Sequence, residues 1–154
     1  MALTMQDVRR WLDPEEPDYE GAKRALGPDA LPLLQQAVTG GDLALASKAT
    51  WLAGMIAGDR ALPVLRAAHA RREPVLSVAV AGSIRNLAAP EAEQVFDMVQ
   101  GDADAGVRKV ALRSAVGLET VTMKARFQAM AARDPEPFIR ELATQVMATR
   151  RPGG

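Results

Sequence analysis

Cysteine is absent from this chain of 154 residues, which excludes disulfides, zinc-thiolate centres and thiol nucleophiles together. Histidine occurs once, at His69, too rarely for a metal centre built on several imidazoles. Aromatic residues make up only 4% against 48% hydrophobic residues overall. An interior must then be filled by Ala, Leu, Val and Met, which suits close-packed helices better than a sheet sandwich. Neither sign of charge is in excess, since 19 basic and 19 acidic side chains cancel. That balance is unlike the basic footprint of a protein held by a nucleic-acid backbone. No uncharged apolar run approaches the roughly 18 residues that suggest a membrane span. The N-terminus, in which Asp7, Arg9 and Arg10 follow Met1 to Gln6, is not signal-like. The expectation is a cytoplasmic protein that makes no membrane contact.

What the chain does have is internal repetition. Asp29-Ala-Leu-Pro-Leu-Leu34 returns as Arg60-Ala-Leu-Pro-Val-Leu65, thirty-one positions later. The same step links Ala30, Ala61, Ala92 and Met123; then Leu34, Leu65, Phe96 and Phe127; then Ala37, Ala68, Val99 and Met130. Within one repeat these positions lie four and then three residues apart, which is one face of a helix. A second set keeps the step: Leu45, Leu76, Val107 and Phe138; Ala49, Val80, Ala111 and Leu142; Ala53, Ile84, Ala115 and Val146. Each unit is thus a pair of amphipathic helices, A and B, and neighbouring pairs must stack because neither helix can bury its apolar face alone.

Breaks at Gly27-Pro28, Gly40-Gly41-Asp42, Gly58-Asp59, Gly101-Asp102 and Asp134-Pro135 separate the helices. They predict A helices near 29–39, 60–70, 91–100 and 120–132, and B helices near 43–57, 74–87, 104–117 and 136–149. Residues 1–27 read as an N-terminal capping pair with Val8, Trp11 and Leu12 turned inward, 28–149 as four repeats and 150–154 as a flexible tail, all in one domain. Acids outnumber bases nine to six through position 60, and bases outnumber acids thirteen to ten afterwards. The resulting head-to-tail dipole would orient a partner or favour head-to-tail contacts.

The runs Gly58-Asp-Arg-Ala-Leu-Pro-Val-Leu65 and Asp104-Ala-Gly-Val-Arg-Lys-Val-Ala111, the latter echoed by Asp134-Pro-Glu-Pro-Phe-Ile-Arg-Glu-Leu-Ala143, resemble HEAT repeats of the short bacterial type first associated with phycobilin lyases. In the echo, Val107-Arg108 and Ile139-Arg140 stand thirty-two apart, which suggests a one-residue shift in the last repeat. The resemblance covers about residues 29 to 149. It implies an all-α fold: a right-handed α-α superhelix (α-solenoid) of about five stacked antiparallel pairs with B helices lining the concave side. It also implies that Arg108 pairs with an aspartate of a neighbouring loop, and that the protein serves as a surface for another protein.

Enzymatic members of this family are poor matches. Those that are di-iron hydroxylases need repeated His-Glu pairs, and His69 is expected instead to flank the interior with its ring partly solvated. Ser47, Ser77, Ser83 and Ser114 fall inside B helices, where small residues let helices approach, and the phrase Gly54-Met-Ile-Ala-Gly-Asp59 lacks the lysine and strand setting of a phosphate loop. No catalytic residue, metal or small-molecule cofactor is therefore expected. The alternative to a protein-binding scaffold is a nucleic-acid binder resembling the DNA glycosylases of this fold, for which Trp51 with Arg85, Arg113 and Arg140 offers the residues and the neutral charge argues against.

Positions opposite the B-helix core stripe define the candidate binding face. They are Lys48, Trp51 and Met55; Val78, Gly82, Arg85 and Asn86; Lys109, Arg113 and Gly117; Arg140, Thr144 and Met147. From these we take Trp51, Met55, Arg85, Asn86, Lys109, Arg113 and Arg140 as the candidate partner-binding residues. Trp51 has two readings: an exposed hot spot, or a side chain filling the gap left by Gly82 one repeat on. The three arginines likewise read as a basic lane for an acidic peptide or as an ordinary solvated face. The expected partner is another protein or an acidic peptide and not nucleic acid, and the chain is expected to be a monomer or weak oligomer.

Overall fold

The computed structural model describes residues 2–56 and 59–149, and within them every regular element is helical. Several helices begin at a side chain that caps them, and others at a proline in their first turn. Thr4 opens α1 (Met5–Leu12) through a capping box with Asp7, whose carboxylate accepts from the Thr4 amide at 2.9 Å. Asp18 opens α2 (Tyr19–Leu26) by accepting from the Gly21 amide at 2.9 Å. Gly27 ends that helix at φ +63°, a conformation open to glycine and strained for other residues.

A 3-10 turn (Pro28–Ala30) leads into α3 (Leu31–Val38), and α4 (Leu43–Ile56) follows Asp42, which accepts from the Leu45 amide at 3.1 Å. A second 3-10 turn (Asp59–Ala61) precedes α5 (Leu62–Ala70), and α6 (Pro74–Gly82) tightens into a third (Ser83–Asn86). Next come α7 (Ala89–Val99) and α8 (Ala105–Ser114), the latter capped by Asp104. The last pair is α9 (Val121–Arg133), capped by Thr120, and α10 (Pro137–Ala148).

The expected helices are all present, with two shortened. The B helix foreseen to Leu87 stops being α-helical at Gly82, and the one foreseen to Gly117 ends at Ser114, where the chain turns through Gly117 at φ +89°. The expected end of the first B helix at residue 57 and the expected tail 150–154 lie outside the described residues. Helices pack in chain order: α4 on α6, α6 on α8 and α8 on α10, while α3 packs on α5 and α5 on α7. Within the pairs, α3 meets α4, α5 meets α6, α7 meets α8 and α9 meets α10. One continuous apolar cluster runs from Val8 to Val146.

Every A-helix position read from the thirty-one-residue step is buried, from Ala30, Leu34 and Ala37 through Met123, Phe127 and Met130. Phe96 and Phe127 meet edge to face at 5.7 Å, so adjacent pairs are keyed together by aromatic geometry. The B-helix stripe holds from Leu45 through Ala115, and in the last repeat only Val146 of its three positions stays buried. Phe138, expected in the core, is 49% exposed, and Leu142 is only half-buried; Ile139 and Ala143 are fully buried in their place. The cause is the spacing of the helices along the chain. Asp42, Glu73 and Asp104 precede their helices at steps of 31, and Glu136 follows at 32, so one added residue rotates α10 by about 100°.

This register is directly testable by chemical denaturation. Ile139→Ala should cost about 2–4 kcal/mol of unfolding free energy, as a large-to-small core change does. Phe138→Ala should change it by less than about 0.5 kcal/mol, as at other surface positions. Comparable losses in both variants would refute the rotation.

Candidate functional site

The loops that join the helices of each pair are tied to one another by side chains. Lys48 on α4 donates to the Pro14 carbonyl at 2.9 Å, and Arg9 lies 3.8 Å from Asp42. Arg71 donates to the carbonyls of Val38 and Gly40 at 2.7 and 2.8 Å, satisfying acceptors that the end of α3 leaves free. His69 meets Asp102 at 3.2 Å with its side chain mostly buried, as expected of a residue flanking the interior.

Arg108 completes the series and is the most buried member. It holds Asp134 through two bonds of 2.9 and 3.0 Å, and it donates to the Asp102 carbonyl at 2.8 Å. The side chains are 8% and 4% exposed. The aspartate partner implied by the family resemblance is present. Burial pushes the Asp134 carboxyl upward, but hydrogen bonds from Arg108 and the Glu136 amide outweigh it and hold the group below the usual carboxylate range. The Arg108 guanidinium is correspondingly raised by Asp134.

Trp51 sits on backbone. A methyl group placed on Gly82 would overlap Cη2 and Cζ3 of the indole, so the ring of α4 lies directly against α6. Trp51 is half-buried there. Of its two readings, contact with Gly82 is what the geometry gives. Gly54 repeats the device: a methyl group there would collide with Ser83, whose hydroxyl donates to the Val80 carbonyl at 2.6 Å. The buried serines Ser77, Ser83 and Ser114 are small residues at such helix approaches, and Ser47 is half-buried.

The remaining candidates separate. Arg85 and Asn86 are exposed on the 3-10 turn after α6, and Arg85 reaches Ser114 at 3.4 Å. Met55 is half-buried. Arg140, placed in the basic lane by the thirty-one-residue step, is instead the counterpart of Arg108 at thirty-two. It donates to the Asp134 carbonyl at 2.6 Å, six residues back, as Arg108 does to Asp102. Gly117 and Met147 leave the face as well, lining a separate cavity with Leu118, Phe127 and Val146.

Lys109 and Arg113 do converge. With Phe138, Glu141, Leu142 and Gln145 they line a groove between α8 and α10. Neither cation has an ion pair or hydrogen bond among the described residues. Phe138 and Leu142 were assigned to the core by the thirty-one-residue step, and the signal that relocates them is the thirty-two-residue offset between Val107-Arg108 and Ile139-Arg140.

Among the described residues no group of three or more His, Asp or Glu stands ready to hold a metal ion. No helix among them is long and apolar enough to cross a membrane. The chain matches no family model, no curated protein and no solved structure.

Three substitutions test these contacts. Breaking the buried pair by Arg108→Ala should cost about 3–5 kcal/mol, since an unpaired carboxylate is left behind. Because the folded Asp134 carboxyl titrates below its unfolded value, its contribution is complete above about pH 4 and disappears as pH falls through the folded value. Asp134→Asn should therefore flatten the stability loss in acid urea titrations; an unchanged profile would contradict the assignment. In a Trp11→Phe background, Gly82→Ala should displace the indole, red-shift its emission and destabilise by about 1–3 kcal/mol. With Trp51→Ala present, the same change should turn neutral or stabilising by up to about 1 kcal/mol through helix propensity.

Proposed function

We propose that this chain is a non-catalytic protein-interaction scaffold that receives an acidic, amphipathic segment of a partner protein in the groove between α8 and α10. In this reading the ten helices form a right-handed α-solenoid of five HEAT-like pairs, and the groove belongs to its concave B-helix face. The observation that carries the reading is the groove's composition. Two cations without partners among the described residues, Lys109 and Arg113, flank the exposed ring of Phe138 and the half-buried Leu142.

That combination supplies both halves of a hot spot. An aromatic surface gives apolar area at little entropic cost, and arginine offers a fork to a carboxylate. Glu141 on the same wall selects for order within the ligand, because a carboxylate placed beside it is repelled. The binding centre moves with this reading from Trp51, which is engaged by Gly82, toward the last two B helices.

The test is fluorescence anisotropy with labelled acidic peptides that each carry one Leu or Phe. Binding should weaken by about tenfold or more in Phe138→Ser and in Arg113→Glu, with circular dichroism and melting temperature unchanged. It should also fall as salt rises. Equal affinity in wild type and both variants would dismiss the groove. A labelled DNA duplex run in parallel should give no signal at micromolar protein and low salt; tight, steeply salt-dependent DNA binding would replace this reading with the nucleic-acid one.

A further inference from the structure

We infer that the occupant of the groove between α8 and α10 is the acidic linker between α1 and α2 of a second copy of this chain. The inference rests on the groove being a docking surface, and it adds the identity of the ligand.

The linker has the charge that the groove calls for, and its prolines are the apolar side chains that it offers to Phe138. It reads Asp13-Pro-Glu-Glu-Pro-Asp18, and residues 13–16 are all exposed. Pro14 and Pro17 keep it out of helix. Lys48 holds the Pro14 carbonyl at 2.9 Å, and Arg9 stands 3.7 Å from Asp13, so the backbone is fixed before any ligand arrives. Glu15 and Glu16 have no ion pair or hydrogen bond among the described residues. Two adjacent free carboxylates at one end of the chain therefore match two free cations, Lys109 and Arg113, at the other.

The same molecule cannot bring them together, since α1 and α2 pack on α3 and α4 while the groove lies beyond α6 and α7, between α8 and α10. Continuous end-on stacking is also disfavoured. Val64 and Val95 are buried between pairs, yet Arg126 stands at the matching place on α9 and is engaged with Asp97. Thr50, Ala81 and Leu112 are fully buried, yet their counterpart on α10, Thr144, is exposed. The polar outer face of this last pair leaves the side groove as the route for a second copy. Such a contact is heterologous, with different surfaces on the two partners, and so builds head-to-tail chains instead of a closed dimer.

Sedimentation velocity at low ionic strength tests this on the full chain. The weight-average sedimentation coefficient should rise with protein concentration and fall back as salt is added. The paired change Lys109→Glu with Arg113→Glu should abolish the rise, as should Glu15→Lys with Glu16→Lys, because each leaves like charges facing one another. Mixing these two variants should restore association, since each then offers a surface complementary to the other. Unchanged circular dichroism establishes that both are folded.

A wild type that stays monomeric throughout overturns the proposal, and so does association that survives either charge reversal or fails to return on mixing. An unrelated acidic peptide carrying one Leu, titrated onto wild type, separates the two ideas. If it binds the groove while no self-association occurs, the docking surface stands and only the second copy is lost.

Discussion

The phase between the two helices of a pair governs this structure. Each helix buries an apolar face, broad on α4 and α6 and narrower on α9 and α10, and the two faces of a pair meet only if the chain delivers the second helix at the right rotation. One residue added between matching positions turns the second helix by about 100°. From Asp42 to Glu73 to Asp104 the spacing is constant, and the stripes of α4, α6 and α8 stay inward. The extra residue before Glu136 gives α10 a different stripe, and Ile139 and Ala143 take the buried places. The same rotation that redirects Arg140 to the loop turns Phe138 outward, so one local cause explains both the corrected core and the groove.

Charged side chains then hold the phase. Lys48, Arg71, His69 and Arg108 each reach from one pair to a loop of an adjacent one, using backbone carbonyls or an aspartate as acceptor. Several of those acceptors are helix-end or loop carbonyls, so the tethers satisfy backbone groups that the helices leave free as well as fixing distances. No buried side-chain polar atom is left without a partner among the described residues. Small residues set the approach between helices: Gly82 under Trp51 and Gly54 against Ser83 bring α4 onto α6 and its following turn.

The helices and most of the core were legible because periodicity reports burial directly: Leu34, Leu65, Phe96 and Phe127 recur at one spacing and are all interior. What periodicity cannot give is phase after an insertion. Phe138 looks like a core residue in composition and in the dominant step, and only the offset pair Ile139-Arg140 reveals otherwise. Arg140 was misplaced for the same reason. Trp51 was ambiguous because an indole flanked by Met and Arg describes an interface and an inter-helix contact equally well; the structure puts it against the bare backbone of Gly82. Lys109 is half-buried and Arg113 exposed on α8, but the apolar wall that makes them a groove comes from a helix whose rotation the repeat step misstates.

Because α10 rests on α8 and α9 and the earlier pairs do not depend on it, its rotation disturbs little else. A single codon between Met130 and Glu136 is thus enough to exchange one surface for another. Loss of that codon would return Phe138 and Leu142 to the interior and erase the groove, leaving a more regular stack. Helices packed in this order can acquire or discard an exposed aromatic face by the smallest in-frame mutation, without redesigning those beneath it.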